Sequence, residues 1–332
     1  MKFDIIIGNP PYQKESDGTS TSIQPIYQNF IELGLKIGSI VSFIVPSRWM
    51  QGGKNLEQFR YNMINSNRFK YIVDYQTSGA VFPTIWLDGG ISYFLKDNKY
   101  SGNVNYTFID KNSKHFTEYR KLNYEDFGFV IRDIRQLNII RKARKFGELT
   151  FDSIVSERNC YGFATDLFNR PELYKSADLQ QNYKDGYNKI YGVLGGKGAI
   201  RVSGYIHPES ILKHKEYINK YNIFFGYAYS MQSTKPADRI LSKPGELCTE
   251  TFLNIGPFDT AEEQLNCEEY IKTKFFRALL FFHRFQKNTT YKTFEFIPIV
   301  DFNKQWSDEE LYSRYDLTSD EIDYIEQLIV SI

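Results

Sequence analysis

Phe3-Asp4-Ile5-Ile6-Ile7-Gly8-Asn9-Pro10-Pro11-Tyr12 decides how this chain is read. Phe3 to Ile7 predicts a short apolar strand. A run that does not alternate with polar residues has the pattern of a buried central strand in a parallel sheet. Gly8 ends the strand and the Pro-Pro pair forces an abrupt turn. Asn-Pro-Pro-Tyr can be no more than that turn, but its residue types also suit one piece of chemistry. An exocyclic amine on a heteroaromatic ring is a poor nucleophile, because its lone pair is delocalised into the ring. Two acceptors that take both of its hydrogens would hold the nitrogen closer to tetrahedral. Asn9 offers a side-chain oxygen. Pro10 offers a main-chain carbonyl whose direction its ring restricts. Tyr12 can stack on a base turned out of a duplex.

Outward from this stretch, Gln13 to Ser22 is polar and rich in Ser, Thr and Gly, by composition a mobile loop or lid. Ile26, Phe30, Leu33 and Ile37 stand at helical spacing and predict a helix over 25–36. Ile40 to Val45 predicts a second strand, closed by Pro46-Ser47-Arg48-Trp49, and 55–66 a second helix. Phe69 to Tyr75 and Ile91 to Lys96 predict two more strands, joined by a loop that carries Phe82-Pro83. Strands alternating with helices predict an α/β fold with a doubly wound sheet.

Beyond residue 100 the segments shorten and turns multiply. Arg132, Arg135, Arg141, Lys142, Arg144 and Lys145 stand against the single acid Asp133, so 132–145 predicts a basic helix between two domains. It either touches phosphates or presents a solvated face. Short strands and the turn Gly195-Gly196-Lys197-Gly198 follow, then a helix over 264–283. The tail, 307–330, is acidic. Ser307-Asp308-Glu309-Glu310 and Thr318-Ser319-Asp320-Glu321 both read as helix starts.

The 332 residues suffice for two domains, and 42% apolar with 24% charged content predicts a buried core. Aromatics reach 17%, some for the core and a share free to stack on bases. A net charge of +1 lends no support to nucleic-acid binding by the chain as a whole, so local clusters must supply it. Cys160, Cys248 and Cys267 are too scattered for a disulfide framework or a zinc site, and no metal site is expected. No signal peptide or membrane-spanning run is visible, which makes a reducing cytoplasm the default.

Asn9-Pro10-Pro11-Tyr12 resembles motif IV of the amino-group DNA methyltransferases. The wider chain is similar to the gamma-class adenine methylases, particularly the methylase parts of type IIG restriction-modification enzymes. Ile44-Val45-Pro46-Ser47-Arg48-Trp49 looks like the end of that family's fifth strand. Ala80-Val81-Phe82-Pro83, followed by Gly89-Gly90-Ile91, looks like the loop that lets an aromatic ring pack on a flipped adenine. Phe296-Ile297-Pro298 and the run from Trp306 to Ile325 resemble the close of the recognition region. The resemblance implies methyl transfer from S-adenosylmethionine to the adenine amino group of double-stranded DNA, within a restriction-modification system. It implies a catalytic role for Asn9, Pro10, Pro11 and Tyr12, with Asn9 also beside the cofactor. Phe82 would complete a sandwich around the base, though it can equally be a core aromatic, and Arg48 would lie against the substrate. Lys197, Arg201, Lys287 and Asn288 are the further DNA-contact candidates. The implied fold is a partial doubly wound, Rossmann-like methyltransferase sheet over 1–130. An α+β target-recognition region with a helical tail would follow over 131–332.

One part of the family pattern is not evident. The Gly-rich turn that cradles S-adenosylmethionine has a single candidate, Gly192-Val193-Leu194-Gly195-Gly196-Lys197-Gly198. It matches poorly and is not a P-loop either. This chain is therefore expected to hold the base and to bind S-adenosylmethionine weakly or not at all alone. Another chain or domain would supply the cofactor half, or the chain is a non-catalytic DNA-specificity module. Enzymes that methylate a protein glutamine or an RNA adenine also carry Asn-Pro-Pro-Tyr, but the long region after residue 100 favours a DNA reader. A half-sheet should also leave the edge of its first strand exposed unless something pairs with it.

Overall fold

Phe3–Gly8 forms a strand, β1. In the computed structural model, which describes residues 2–14, 24–52, 55–84, 87, 89–196, 198–230 and 232–331, it opens a six-stranded sheet. After β1 come α1 (Tyr27–Ile37), β2 (Gly38–Pro46), α2 (Glu57–Ile64), β3 (Phe69–Tyr75), β4 (Ile91–Asp97), β5 (Val104–Ile109) and β6 (His115–Arg120). The strand order is β1-β2-β4-β3-β5-β6. β1 pairs parallel with β2, and β3 parallel with β5. β4 is antiparallel to both its neighbours, and β6 to β5. The sheet is thus mixed rather than wholly parallel, because β4 returns through a loop from β3 instead of through a crossover helix.

Helices α1 and α2 pack on one face. Tyr27, Ile31, Phe59 and Met63 meet Val41, Phe43, Ile72 and Phe94 in a closed core, and Trp49 stacks on Phe69 at 6.2 Å. This corrects the expectation of a buried central β1. It is an edge strand, with only Ile6 partly packed against the core. Phe3, Ile5 and Ile7 are 43%, 61% and 76% exposed. Hydrophobicity alone cannot say what covers a strand. Here α1 covers one side, β2 pairs one edge, and among the described residues no strand pairs the other edge.

The chain divides into two compact units, Met1–Leu137 and Asn138–Ile332. The division falls within α3 (Ile134–Ala143), the helix expected over the basic run. The second unit contains β7 (Asn188–Leu194), β8 (Ile200–Ile206), α4 (Lys215–Ile218), β9 (Tyr221–Gly226), β10 (Arg239–Ser242), β11 (Glu246–Cys248) and β12 (Phe252–Phe258). These strands form two three-stranded sheets, β11-β7-β8 and β10-β9-β12. Helices α5 (Ala261–Lys272), α6 (Lys274–His283), α7 (Asp308–Arg314) and α8 (Ser319–Leu328) follow. The single helix expected over 264–283 is two. Thr273 takes an extended ψ of 149° and its hydroxyl caps α6 by accepting from the Phe276 amide. Both predicted tail starts form capping boxes, Ser307 with Glu310 and Thr318 with Glu321. The three cysteines are buried and free. Among the described residues, no helix is long and apolar enough to cross a membrane, and no group of His, Cys, Asp and Glu could hold a metal ion.

Candidate functional site

Parallel pairing places the carboxyl ends of β1 and β2 together, and the double reversal through β4 brings the end of β3 to the same side. In an open α/β sheet this is the side where ligands bind. Asn9 is exposed there, Pro10 is buried, Pro11 is exposed and Tyr12 is half-buried. A backbone bridge anchors the segment: the Ile26 amide donates to the Tyr12 carbonyl at 3.2 Å, and the Lys14 amide to Gln24 at 3.1 Å. Beyond Gln13 and Lys14, the predicted loop lies outside the described residues. The Tyr12 ring packs against the core, and its hydroxyl is buried without a well-formed hydrogen bond. Burial raises its pKa, and the nearby Asn9 side chain pulls in the opposite direction. A side chain so placed offers a fixed ring edge and a hydroxyl in reach of Asn9.

Arg48 follows β2 in the short turn Ser47–Met50. Phe82 is half-buried in the loop between β3 and β4, where its amide donates to Ser78 at 2.8 Å. That loop ends on Gly90, whose φ of +79° and close approach admit only glycine: a Cβ would lie 2.2 Å from the Tyr75 carbonyl. A buried ionic cluster fixes the same region. Arg132 donates to both carboxylate oxygens of Asp74 at 2.6 and 2.7 Å and to the Gly89 carbonyl at 2.6 Å. Ser47 and Tyr106 each donate to Asp74 at 2.6 Å. The cluster ties the ends of β2 and β3, the Gly89-Gly90 turn and β5 into one network. Sequence reading missed it. Its only signal was an acid inside the apolar strand Tyr71-Ile72-Val73-Asp74-Tyr75.

Four of the six cations expected to touch phosphates or face solvent over residues 132–145 are engaged within the protein. Arg132 is buried on Asp74, and Arg135 binds Asp133 at 2.7 Å and Asp110 at 3.4 Å. Lys142 binds Glu321 at 2.6 Å, and Arg144 donates to the Glu295 carbonyl. These four cations hold the fold together internally, while Lys145 is exposed.

In the second unit, the Gly-rich stretch is the turn of an antiparallel hairpin, with Gly195 and Gly198 at φ of +96° and +83°. No helix N-terminus follows it to face a phosphate or a carboxylate, so it does not fit a nucleotide-type cofactor. Lys197 lies outside the described residues. Arg201 stands on β8 and binds Asp238 at 2.9 Å. The Tyr229 amide donates to the Lys287 carbonyl, and Asn288 bridges to Ala228. Arg201, Tyr227, Ala228 and Tyr229 line one cleft of about 550 Å³. Arg201 therefore lines this cleft, and Lys287 and Asn288 pair through main chain with its lining segment at Tyr229 and Ala228 but do not themselves line it; Asn9, Arg48 and Phe82 share one end of the other unit's sheet.

Residues 1–82 match the family described as Eco57I restriction-modification methylase. A curated relative from Mycoplasma pneumoniae (strain ATCC 29342 / M129 / Subtype 1), described as an uncharacterized adenine-specific methylase, is 32% identical over 150 residues. That alignment covers 43% of this chain and 34% of the relative, so the match spans about a third of the relative's length. Among solved structures, the type IIG restriction endonuclease BpuSI aligns over 98% of this chain and 48% of its own, at 13% identity and a TM-score of 0.38. The type IIL restriction-modification enzyme MmeI, solved with DNA, aligns over 98% and 53%, at 9% identity and a TM-score of 0.38. Scores this low carry no argument about the fold. The stretch that contains Asn9-Pro10-Pro11-Tyr12 is, by its sequence, similar to a restriction-modification methylase.

Proposed function

We propose that this chain is the base-holding half of an adenine-specific DNA methyltransferase of the restriction-modification type. The observation that carries this is Asn9-Pro10-Pro11-Tyr12 at the carboxyl end of a strand whose outer edge and one face the described residues leave open. The Asn9 side-chain oxygen and the Pro10 carbonyl accept the two hydrogens of the adenine amine and keep its lone pair off the ring. Tyr12 and Phe82 hold the flipped base between them, with Arg48 at the same end of the sheet. The methyl group comes from S-adenosylmethionine. The described residues supply no Gly-rich strand-turn-helix for that cofactor, so its pocket belongs to a separate half. That half adds to the edge of β1 and covers Phe3, Ile5 and Ile7. A parallel strand bare on one face and one edge supports this arrangement, since such strands are normally covered on both faces.

Calorimetric titration of the chain alone with S-adenosylmethionine should give very weak or no binding. Methylation of duplex DNA should appear only when the complementary half is added, and Asn9→Ala should abolish it while DNA binding persists. Tight cofactor binding by the isolated chain would overturn the half-site reading. Methylation that survives Asn9→Ala would overturn the assignment of the motif. A second reading, a non-catalytic specificity module, rests on the same missing pocket. It predicts DNA binding with no methylation in any complemented mixture.

A further inference from the structure

Asp74 and Arg132 are both buried, at 0% and 8% exposure. A buried ion pair is not the most stabilising filling for a core. Desolvation of the two charges offsets most of their attraction, and apolar side chains often serve as well. What apolar side chains cannot do is hold polar main chain in a set place. Arg132 does this. Two of its nitrogens satisfy the Asp74 carboxylate, at 2.6 and 2.7 Å, and the guanidinium also donates to the Gly89 carbonyl at 2.6 Å and the Tyr75 carbonyl at 3.1 Å.

Those two carbonyls are the stems of the loop that carries Phe82. The ladder between β3 and β4 stops at Tyr75 opposite Ile91, and the arginine takes over where the ladder ends. Inside the loop, the Val81 and Phe82 amides donate to the Ser78 carbonyl at 3.0 and 2.8 Å. The Leu87 amide donates to the Ser78 hydroxyl at 2.8 Å. The cluster reaches the Arg48 turn as well. Ser47 donates its hydroxyl to Asp74 at 2.6 Å and its amide to the Gly90 carbonyl at 3.1 Å. A Cβ on Gly89 would stand 3.8 Å from the Cα of Arg48. One carboxylate and one guanidinium thus set both segments, the one with Phe82 and the one with Arg48.

We infer that Arg132, held by Asp74, is a positioning residue for the base pocket. Being buried, it acts through the Phe82 loop and the Arg48 turn and touches neither base nor methyl donor. This role rests on the methyltransferase reading for the reaction it serves, and it gives a task to two residues that the motif resemblance leaves out. Reacting atoms must be held closely, and a misplacement of about 1 Å caused by a distant change can cost about a hundredfold in rate.

Arg132→Lys is the variant that separates positioning from charge. Lysine keeps an ion pair with Asp74, but its ammonium lacks the planar fork that spans a carboxylate and two carbonyls. In hydrogen exchange of the full chain, the Val81, Phe82 and Leu87 amides should exchange at least about tenfold faster than in the parent. In the complemented enzyme, kcat for methylation of duplex DNA should fall about ten- to a hundredfold, with KM for DNA within about twofold of the parent. Ser47→Ala, which releases the Arg48 turn from Asp74, should lower kcat by a few-fold, and it carries the same test should Arg132→Lys not fold. Val104→Ala is the stability control. It opens a cavity in the core at the amino end of β5 and should lower the unfolding midpoint while kcat and the loop amides stay as in the parent. If Arg132→Lys methylates at the parent's rate, or its loop amides exchange as in the parent, the pair is structural only and the methyltransferase reading stands. The same holds if Val104→Ala lowers kcat as much at equal loss of stability. If no complemented mixture of the parent methylates DNA, the methyltransferase reading falls and the positioning role with it.

Discussion

β1 and β12 are both apolar and both lie at the edge of a sheet, yet one is open and the other closed. In Phe252-Leu253-Asn254-Ile255, every side chain is buried. Helix α5 packs on that strand, and its outer edge is closed by main chain: the Ser156 amide donates to the Asn254 carbonyl at 2.7 Å, and Val155 bridges to Ile255. Around β1 the described residues supply neither an outer strand nor a cover for Ile5 and Ile7. Edge strands are ordinarily shielded by charge, proline, a bulge or covering chain. β12 has the cover. β1 has only Asp4 within its span, and among the described residues nothing plays the part that Val155 and Ser156 play for β12.

The comparison can be broken by mutation, and the largest expected effect is at the buried ion pair that has no counterpart near β1. Asp74→Ala leaves the Arg132 guanidinium buried without its carboxylate. It should cost about 3–5 kcal/mol of the first unit's stability in urea unfolding. A loss below about 1 kcal/mol would mean that the cluster is not structural. Next, Leu253→Ala in β12 should cost about 2–5 kcal/mol, whereas Ile7→Ala in β1 should change the chain's own stability by no more than about 0.5 kcal/mol. Equal losses would show that β1 is covered after all.

A pH series sharpens the contrast between the two units. Burial, with Arg68 adding to it, holds the Lys96 ammonium down to about 8. Below that pH both states are protonated and the folded one bears the full desolvation penalty. The penalty is relieved as pH rises from about 8 toward the ordinary 10.5. Lys96→Met should therefore stabilise the first unit at pH 7 by on the order of 2 kcal/mol and lose that advantage near pH 10.5. His283, in the second unit, is held down to about 4, also by burial. The unfolded chain binds that proton first, so stability falls as pH drops from 6.5 toward 4. His283→Phe should remove this acid sensitivity, which thermal melts at pH 7 and pH 4 would read. The smallest effect belongs to the Lys142–Glu321 pair, where Lys142→Ala should cost at most about 1 kcal/mol.

Local signals were legible wherever one short segment contains its own cause. The capping boxes at Ser307 and Thr318 formed as written, because both partners lie within one helical turn. Strand β3 ran over the residues expected of it. Phe82 sits in the loop expected of it, and Arg48 in the turn that closes β2. The Asp74–Arg132 pair was not legible, since its members are 58 residues apart and each looked ordinary alone. The basic run misled for the same reason: acids that neutralise it, Asp74 and Glu321, come from distant segments.

The sequence by itself determined the chemistry offered at Asn9-Pro10-Pro11-Tyr12, the α/β character of the first unit and the helical tail. Each of these depends on neighbours within a turn or a strand. Only the tertiary structure decided which apolar strand is buried and which cations are already paired. It also decided that Lys287 and Asn288 stand beside the cleft that Arg201 lines. Burial and charge neutralisation are properties of what lies across space, and a list of residues does not contain that distance.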